Sequence, residues 1–223
     1  MALYTGKGDA GTTKVIDSKE RFSKASRLAE ALGSLDELNS FIGLCKIKAS
    51  SGQAARHSPM FRLRSDEMRT RSHFASSLDE IKSEDIDSES VRVNGKEVSV
   101  SYILHEVQEN LFIVQAQVAG SDKKIVKKKV TQAERYINTI ENIIPPIKGF
   151  TIAGATELSA LLDVVRTIAR RTERRVVLLH DTKERKLTKD TLAYMNRLSS
   201  LLFALARLAS HQAGVKERTP TYR

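Results

Sequence analysis

A chain of 223 residues with 37 Lys and Arg against 27 Asp and Glu carries a formal charge of +10 and can bury roughly 70% of its unfolded surface around one substantial core. That charge suits nucleotide polyphosphates, nucleic acid or membrane phosphates alike, but aromatics are only 5% and Trp is absent, which disfavours single-strand nucleic-acid binding by base stacking. The lone Cys45 excludes an internal disulfide, and no run reaches the roughly 20 apolar residues that span a bilayer, so a reducing compartment and no membrane partner are expected.

The chain opens on Tyr4-Thr5-Gly6-Lys7-Gly8-Asp9-Ala10-Gly11-Thr12-Thr13. Glycines let the backbone approach a ligand and turn its N–H groups inward, while lysine and hydroxyls add donors suited to phosphate. The spacing departs from Walker A, so the stretch is either a flexible tail or a phosphate-binding strap. It leaves no room for a secretory apolar segment before it, and the cytoplasm is the expected location.

From about Lys24 to Lys48, Leu28, Leu32, Leu35, Leu38 and Ile42 recur at spacings of three and four, which predicts the first helix. Asp36 and Asn39 inside it have poor helical propensity and need compensation. Asp36 either faces solvent or holds an arginine from a later helix. The polar segment 49–99 is too long for an ordinary bundle connection and reads as a partly flexible insertion. At its end Asn94-Gly95 sits between alternating valines, predicting a hairpin with Arg92 opposite Glu97 and Val91 opposite Val98.

Ile103, Val107, Leu111, Val114 and Val118 mark the second helix, and a third runs from about Val126 to Ile144, halted by Pro145-Pro146. Phe150 follows on a short link beside Gly149, either as core or as the apolar wall of a pocket. The fourth helix, about Glu157 to Leu179, sets Leu158, Leu162, Val165 and Ile168 against Arg166, Arg170, Arg171, Glu173, Arg174 and Arg175. Arg166, Arg170, Glu173 and Arg174 follow i, i+4, i+7, i+8, so three guanidiniums and a carboxylate share one face. That face is either a solvated stripe or a seat for a polyanion. The fifth helix opens with Thr188 as N-cap and carries Leu192, Met195, Leu198, Leu202 and Leu205 to about Gln212. Its Asn196 is read either as a buried amide that orients a ligand or as an ordinary interhelical hydrogen bond.

Long helices with apolar stripes and mostly short connections predict an all-α, up-and-down five-helix bundle, a single domain over 1–223. The five histidines show no Glu-x-x-His or His-Glu-x-x-His spacing, which disfavours a di-iron bundle and a zincin.

Taken together, Thr5-Gly-Lys-Gly-Asp-Ala-Gly-Thr-Thr13, Ala31-Leu-Gly-Ser-Leu-Asp-Glu-Leu-Asn39, Phe150-Thr-Ile-Ala-Gly154 with Arg166-Thr-Ile-Ala-Arg-Arg-Thr-Glu-Arg-Arg175, and Asn196-Arg-Leu-Ser199 resemble the ATP-dependent cob(I)alamin adenosyltransferases built as trimers of five-helix bundles. The likeness spans all five helices and leaves out the 49–99 insertion. It implies transfer of the 5′-deoxyadenosyl group of ATP to cob(I)alamin, with release of triphosphate. It implies that Thr5, Gly6, Lys7, Gly8, Asp9, Gly11, Thr12 and Thr13 wrap the triphosphate, with Lys24 near the nucleotide. Arg166, Arg170, Glu173 and Asn196 would complete the ATP site at a subunit boundary, Glu173 toward Mg2+. Asp36 would hold Arg166 across that boundary, and Phe150 would cover the lower corrin face and exclude the axial base. A homotrimer, a cobalamin reductase and a B12-dependent enzyme are the implied partners. Two departures stand out: Ala153-Gly154-Ala155 where the family carries proline and paired glycines, and Ser200 where it often carries aspartate. Two rival readings remain: a nucleotide- or corrinoid-binding delivery or sensor protein without turnover, and a basic nucleic-acid-binding bundle.

Overall fold

In the computed structural model residues 4–15, 20–56, 90–93 and 96–222 are described, with backbone alone for 51–56 and Lys96. The elements are β1 (Thr12–Thr13), β2 (Phe22–Ser23), α1 (Arg27–Arg56), β3 (Ser90–Val93), β4 (Lys96–Ser99), α2 (Val100–Ala119), α3 (Lys127–Glu141), α4 (Glu157–Asp181) and α5 (Lys189–Gln212). Five helices and two small antiparallel strand pairs make the expected all-α bundle. No helix among the described residues is long and apolar enough to cross a membrane.

Each stripe read from the sequence becomes core. Leu35, Leu38 and Ile42 of α1, Ile103 and Leu111 of α2, Leu162 of α4 and Leu202 of α5 are all fully buried, and burial of this kind is the chief term holding such a bundle together. Helix α1 packs on α2 and α4, and α5 packs on α4 and α3. Polar bonds close the remaining side: Asn110 Nδ2 donates to Tyr194 Oη (3.1 Å), and Tyr136 donates to Glu106. Burial pushes the Tyr194 hydroxyl well above the usual phenol range, so it stays protonated. The Cys45 thiol is raised by burial to about 11, which makes it inert packing.

Helix ends follow their caps. Thr188 Oγ1 accepts from Thr191 N, as expected, and Thr156 with Ser159 forms a reciprocal capping box at the start of α4. Helix α3 stops at Glu141, a turn before the prolines, because Ile144 turns inward to a buried position and residues ahead of proline avoid helical angles. Helix α1 continues to Arg56, past the expected start of the insertion at residue 49.

Strands β3 and β4 pair with Val91 opposite Val98 and Arg92 opposite Glu97, the register expected from the sequence. Asn94-Gly95 and residues 57–89, including the expected flexible part of the insertion, lie outside the described residues. The β1–β2 pair was not expected. It joins Thr12 to Ser23 and Thr13 to Phe22, so the leading strap folds back on the entry to α1.

Candidate active site

Helix α4 divides its arginines between two jobs. Arg171 and Arg175 turn toward α1: Arg171 Nη2 donates to both oxygens of Glu37 (2.8 and 2.7 Å), and Arg175 reaches Ser34 and Glu30. Thr172, buried between them, donates to Ser34 O. These pairs dock α4 on α1.

The other arginines look outward. Arg166 Nε donates to Asp163 Oδ1 (3.2 Å), and its guanidinium lies 5.6 Å from the centroid of the Phe203 ring. Stacking and pairing together hold the head group in one orientation. Arg170 is exposed, and no acid of the described residues pairs with it. Arg174, also exposed, donates back to Arg170 O. Glu173 is half-buried and accepts from Asn196 Nδ2 (3.1 Å), while Asn196 Oδ1 accepts from Arg197, itself held by Glu134. Asn196 is therefore exposed and makes the interhelical hydrogen bond that is one of the two sequence readings, rather than being the buried amide of the other. It sits there because its partner Glu173 lies on the outward edge of α4.

No set of three or more His, Cys, Asp or Glu among the described residues could hold a metal by itself. Glu173 with Asn196 offers one carboxylate and an amide, the sparse protein donor set that Mg2+ accepts when phosphates and waters fill its other positions. The residues fit that ion only as a companion of a polyphosphate.

Phe150 is 79% exposed on the link between α3 and α4, with Ile143, Ile147 and Ile152 also open beside it in the chain. It is therefore not core. A cleft lined by Thr151, Ile152, Gly154, Ala155, Asp163 and Phe203 connects this link to the surroundings of Arg166. Gly154 adopts φ +97°, where an L side chain is strained, and Ala155 is half-buried beside it. The left-handed position thus keeps its glycine despite the alanines on both sides. Ser200 is exposed on α5, one turn beyond Asn196.

The strap is organised by a residue that the sequence reading missed. Arg21 Nη2 donates to Lys7 O (2.6 Å) and Thr12 O (2.8 Å), and its Nε donates to Thr12 Oγ1 (2.9 Å). A basic residue one place before a short strand was too weak a signal to find it. Lys24 N donates to Gly11 O, and the Lys24 ammonium lies so near Gly8 that a Cβ there would stand 3.1 Å from Nζ and 3.3 Å from Thr12 O. Lys24 therefore packs against the strap. Thr5, Gly6, Lys7 and Asp9 stay exposed, open to a ligand.

The strap and the outward arginines are built at different levels of the bundle. The strap is anchored at the start of α1, where Arg27 pairs with Glu184 just past α4 (2.7 Å). Arg170 lies about 16 Å back along α4 from its last residue, at 1.5 Å per residue. Asp36 is exposed on α1, and it is Glu37, one position on, that meets an α4 arginine within the chain. Within one chain, Arg166 takes Asp163 as its acid.

The chain is thus a five-helix bundle that carries a basic outward stripe on α4, a glycine-rich strap and an exposed apolar link. More narrowly, the chain belongs to the cobalamin adenosyltransferase family, whose model matches residues 3–99 and 65–209. It is 32% identical over 215 residues to a corrinoid adenosyltransferase of Bacillus subtilis, covering 96% of this chain and 90% of that one. It is 30% identical over 220 residues to the corrinoid adenosyltransferase PduO of Citrobacter freundii, covering 96% of this chain and 51% of the relative. The chain thus spans about half the length of the PduO relatives it matches. Among solved structures, a phenylalanine-to-alanine variant of a PduO-type ATP:corrinoid adenosyltransferase from Lactobacillus reuteri, complexed with cobalamin and ATP, matches with a TM-score of 0.70 at 26% identity, covering 99% of both chains. An arginine-to-lysine variant from the same organism, complexed with ATP, matches with a TM-score of 0.69 at 26% identity.

Proposed function

We propose that this protein transfers the 5′-deoxyadenosyl group of ATP to cob(I)alamin, forming adenosylcobalamin and releasing triphosphate. Cobalt(I) attacks the ribose C5′; the Co–C bond forms as the C5′–O bond breaks, and the electron pair leaves on triphosphate. No proton moves, so no general acid or base is needed. The protein's task is to hold the two substrates in line and to stabilise the charge growing on the leaving oxygen. Arg166, Arg170, Lys7 and the strap amides do the latter. Mg2+, held by Glu173 and Asn196 together with the phosphates, would supply further charge neutralisation.

The observation that carries this reading is the outward face of α4, where Arg166 is held by Asp163 and Phe203 and Arg170 stands exposed with no acid of the described residues paired to it. The link carrying the exposed Phe150 adjoins Asp163 and Phe203 through Thr151 and Ile152, and adds an apolar surface for a corrin. Phe150 covers the lower corrin face, which favours loss of the axial base and eases reduction of cobalt to the nucleophilic state. A cobalamin reductase then supplies the electron, and a B12-dependent enzyme takes the product.

The protein works as a homotrimer in this reading, the strap of one subunit closing over the α4 arginines of its neighbour, with Asp36 pairing Arg166 across the boundary. The separation of strap and arginines along α4 and the exposure of Asp36 support it. In an anaerobic assay, ATP should discharge the Co(I) absorbance of reduced cobalamin with one triphosphate released per turnover. Absence of any ATP-dependent loss would overturn the reading. Arg21→Ala should raise KM for ATP about tenfold or more while leaving KM for cobalamin unchanged, because it loosens the strap alone. Steady-state kinetics in each substrate check this.

A further inference from the structure

Arg207 occupies a position on α5 where an aliphatic side chain would be expected: it is only 8% exposed, between buried Ala206 and Leu208. A buried guanidinium is costly unless its charge and donors are satisfied. Here they are used on two separate segments, one of them 62 residues away. Arg207 Nη2 donates to Pro145 O (2.8 Å), at the root of the Phe150 link, and Nε donates to Glu217 Oε2 (3.0 Å) and Oε1 (3.3 Å) on the C-terminal tail.

The next tail residue closes a loop of contacts. Ile152 N donates to Arg218 O (2.8 Å), making an isolated antiparallel bridge between the link and the tail. Phe150 and Ile152 are exposed and Thr151 is half-buried. The bridge ties the backbone two residues after Phe150 to the tail, which restricts the path of the link that carries the ring. Thr151, Ile152, Arg207 and Glu217 line one cleft with Phe203 and Asp163, so the same staple also borders the surroundings of Arg166.

We infer that Arg207 is a positioning residue for Phe150: by clasping Pro145 O and Glu217 at once, it docks the C-terminal tail against the Phe150 link and sets the corrin-facing ring before the substrate arrives. This rests on the function proposed above. The guanidinium suits the task because its planar fork serves a carbonyl and a carboxylate in fixed directions, which an ammonium on a flexible stem does not.

Two variants test it. Glu217→Gln keeps the tail's shape but removes the charge that Arg207 holds, and Ile152→Pro removes the N–H of the bridge and fixes φ at that position without touching the Arg207–Glu217 pair. In ligand-free protein, trypsin cleavage after the exposed Lys148 on the link, followed by mass spectrometry, should be at least about tenfold faster in both variants. With substrates, KM for cobalamin should rise about tenfold while KM for ATP stays within about twofold. If Glu217→Gln fails to fold, Ile152→Pro reads the bridge alone. Unchanged cleavage at Lys148, or equal rises in KM for both substrates, would overturn the assignment. Should the wild type show no adenosyl transfer, the proposed function fails, but the cleavage comparison still reads the staple.

Discussion

Replacing Arg170 by alanine should cut turnover by about 10²–10³-fold, equivalent to about 2.7–4 kcal/mol of barrier, the scale of removing one donor aimed at developing negative charge. The magnitude follows from where Arg170 stands. Of the five arginines on α4, Arg171 and Arg175 are committed to α1 and Arg166 is pinned between Asp163 and Phe203. Arg170 is exposed with no acid of the described residues to neutralise it, so its charge is free for a ligand. The fold should not suffer, since an exposed helical arginine replaced by alanine changes stability little. Single-turnover kinetics at saturating ATP, beside a thermal melt, checks both halves. Full turnover in the variant would mean that the outward face is merely solvated.

Phe150→Ala should slow adenosylation that starts from Co(II)alamin and a reductant by a large factor, on the order of 10², while ATP binding measured by calorimetry stays near wild type. The ring is almost fully exposed and belongs to no core cluster, so its loss removes no packing. Its removal would let water or the axial base reach the lower face of the cobalt and stabilise the oxidised state. Supplying chemically prereduced Co(I) should restore much of the rate. Equal rates for wild type and variant from Co(II) would defeat the assignment.

How far these expectations could be drawn from sequence differs between fold and site. The bundle was legible because leucines and isoleucines at three- and four-residue spacings have one economical packing, and Leu35, Ile103, Leu162 and Leu202 are buried where that spacing puts them. The β3–β4 register was legible for a similar local reason, an Asn-Gly turn between alternating valines. The outward arginine face was legible in outline, since helical geometry fixes which side chains share a side. Which guanidinium pairs with which acid was not, because the choice between Asp36, Glu37 and Asp163 depends on how α1 and α4 are rotated against each other. Arg21 and Arg207 were invisible for another reason. Each makes key contacts through backbone carbonyls, and a carbonyl leaves no mark on sequence. The tail was read as nothing, yet Glu217 and the carbonyl of Arg218 hold the link that carries Phe150.

The gap along α4 between the leading strap and Arg170 has a consequence for genetics as well as chemistry. In the trimer proposed above, each copy contributes two half-sites that meet only across a contact between copies, so damage to either half is confined to one side of each contact. Proteins inactivated separately, one at Lys7 and the other at Arg170, should regain partial adenosyl transfer when co-expressed and allowed to exchange subunits, because some neighbours then present an intact half to each other.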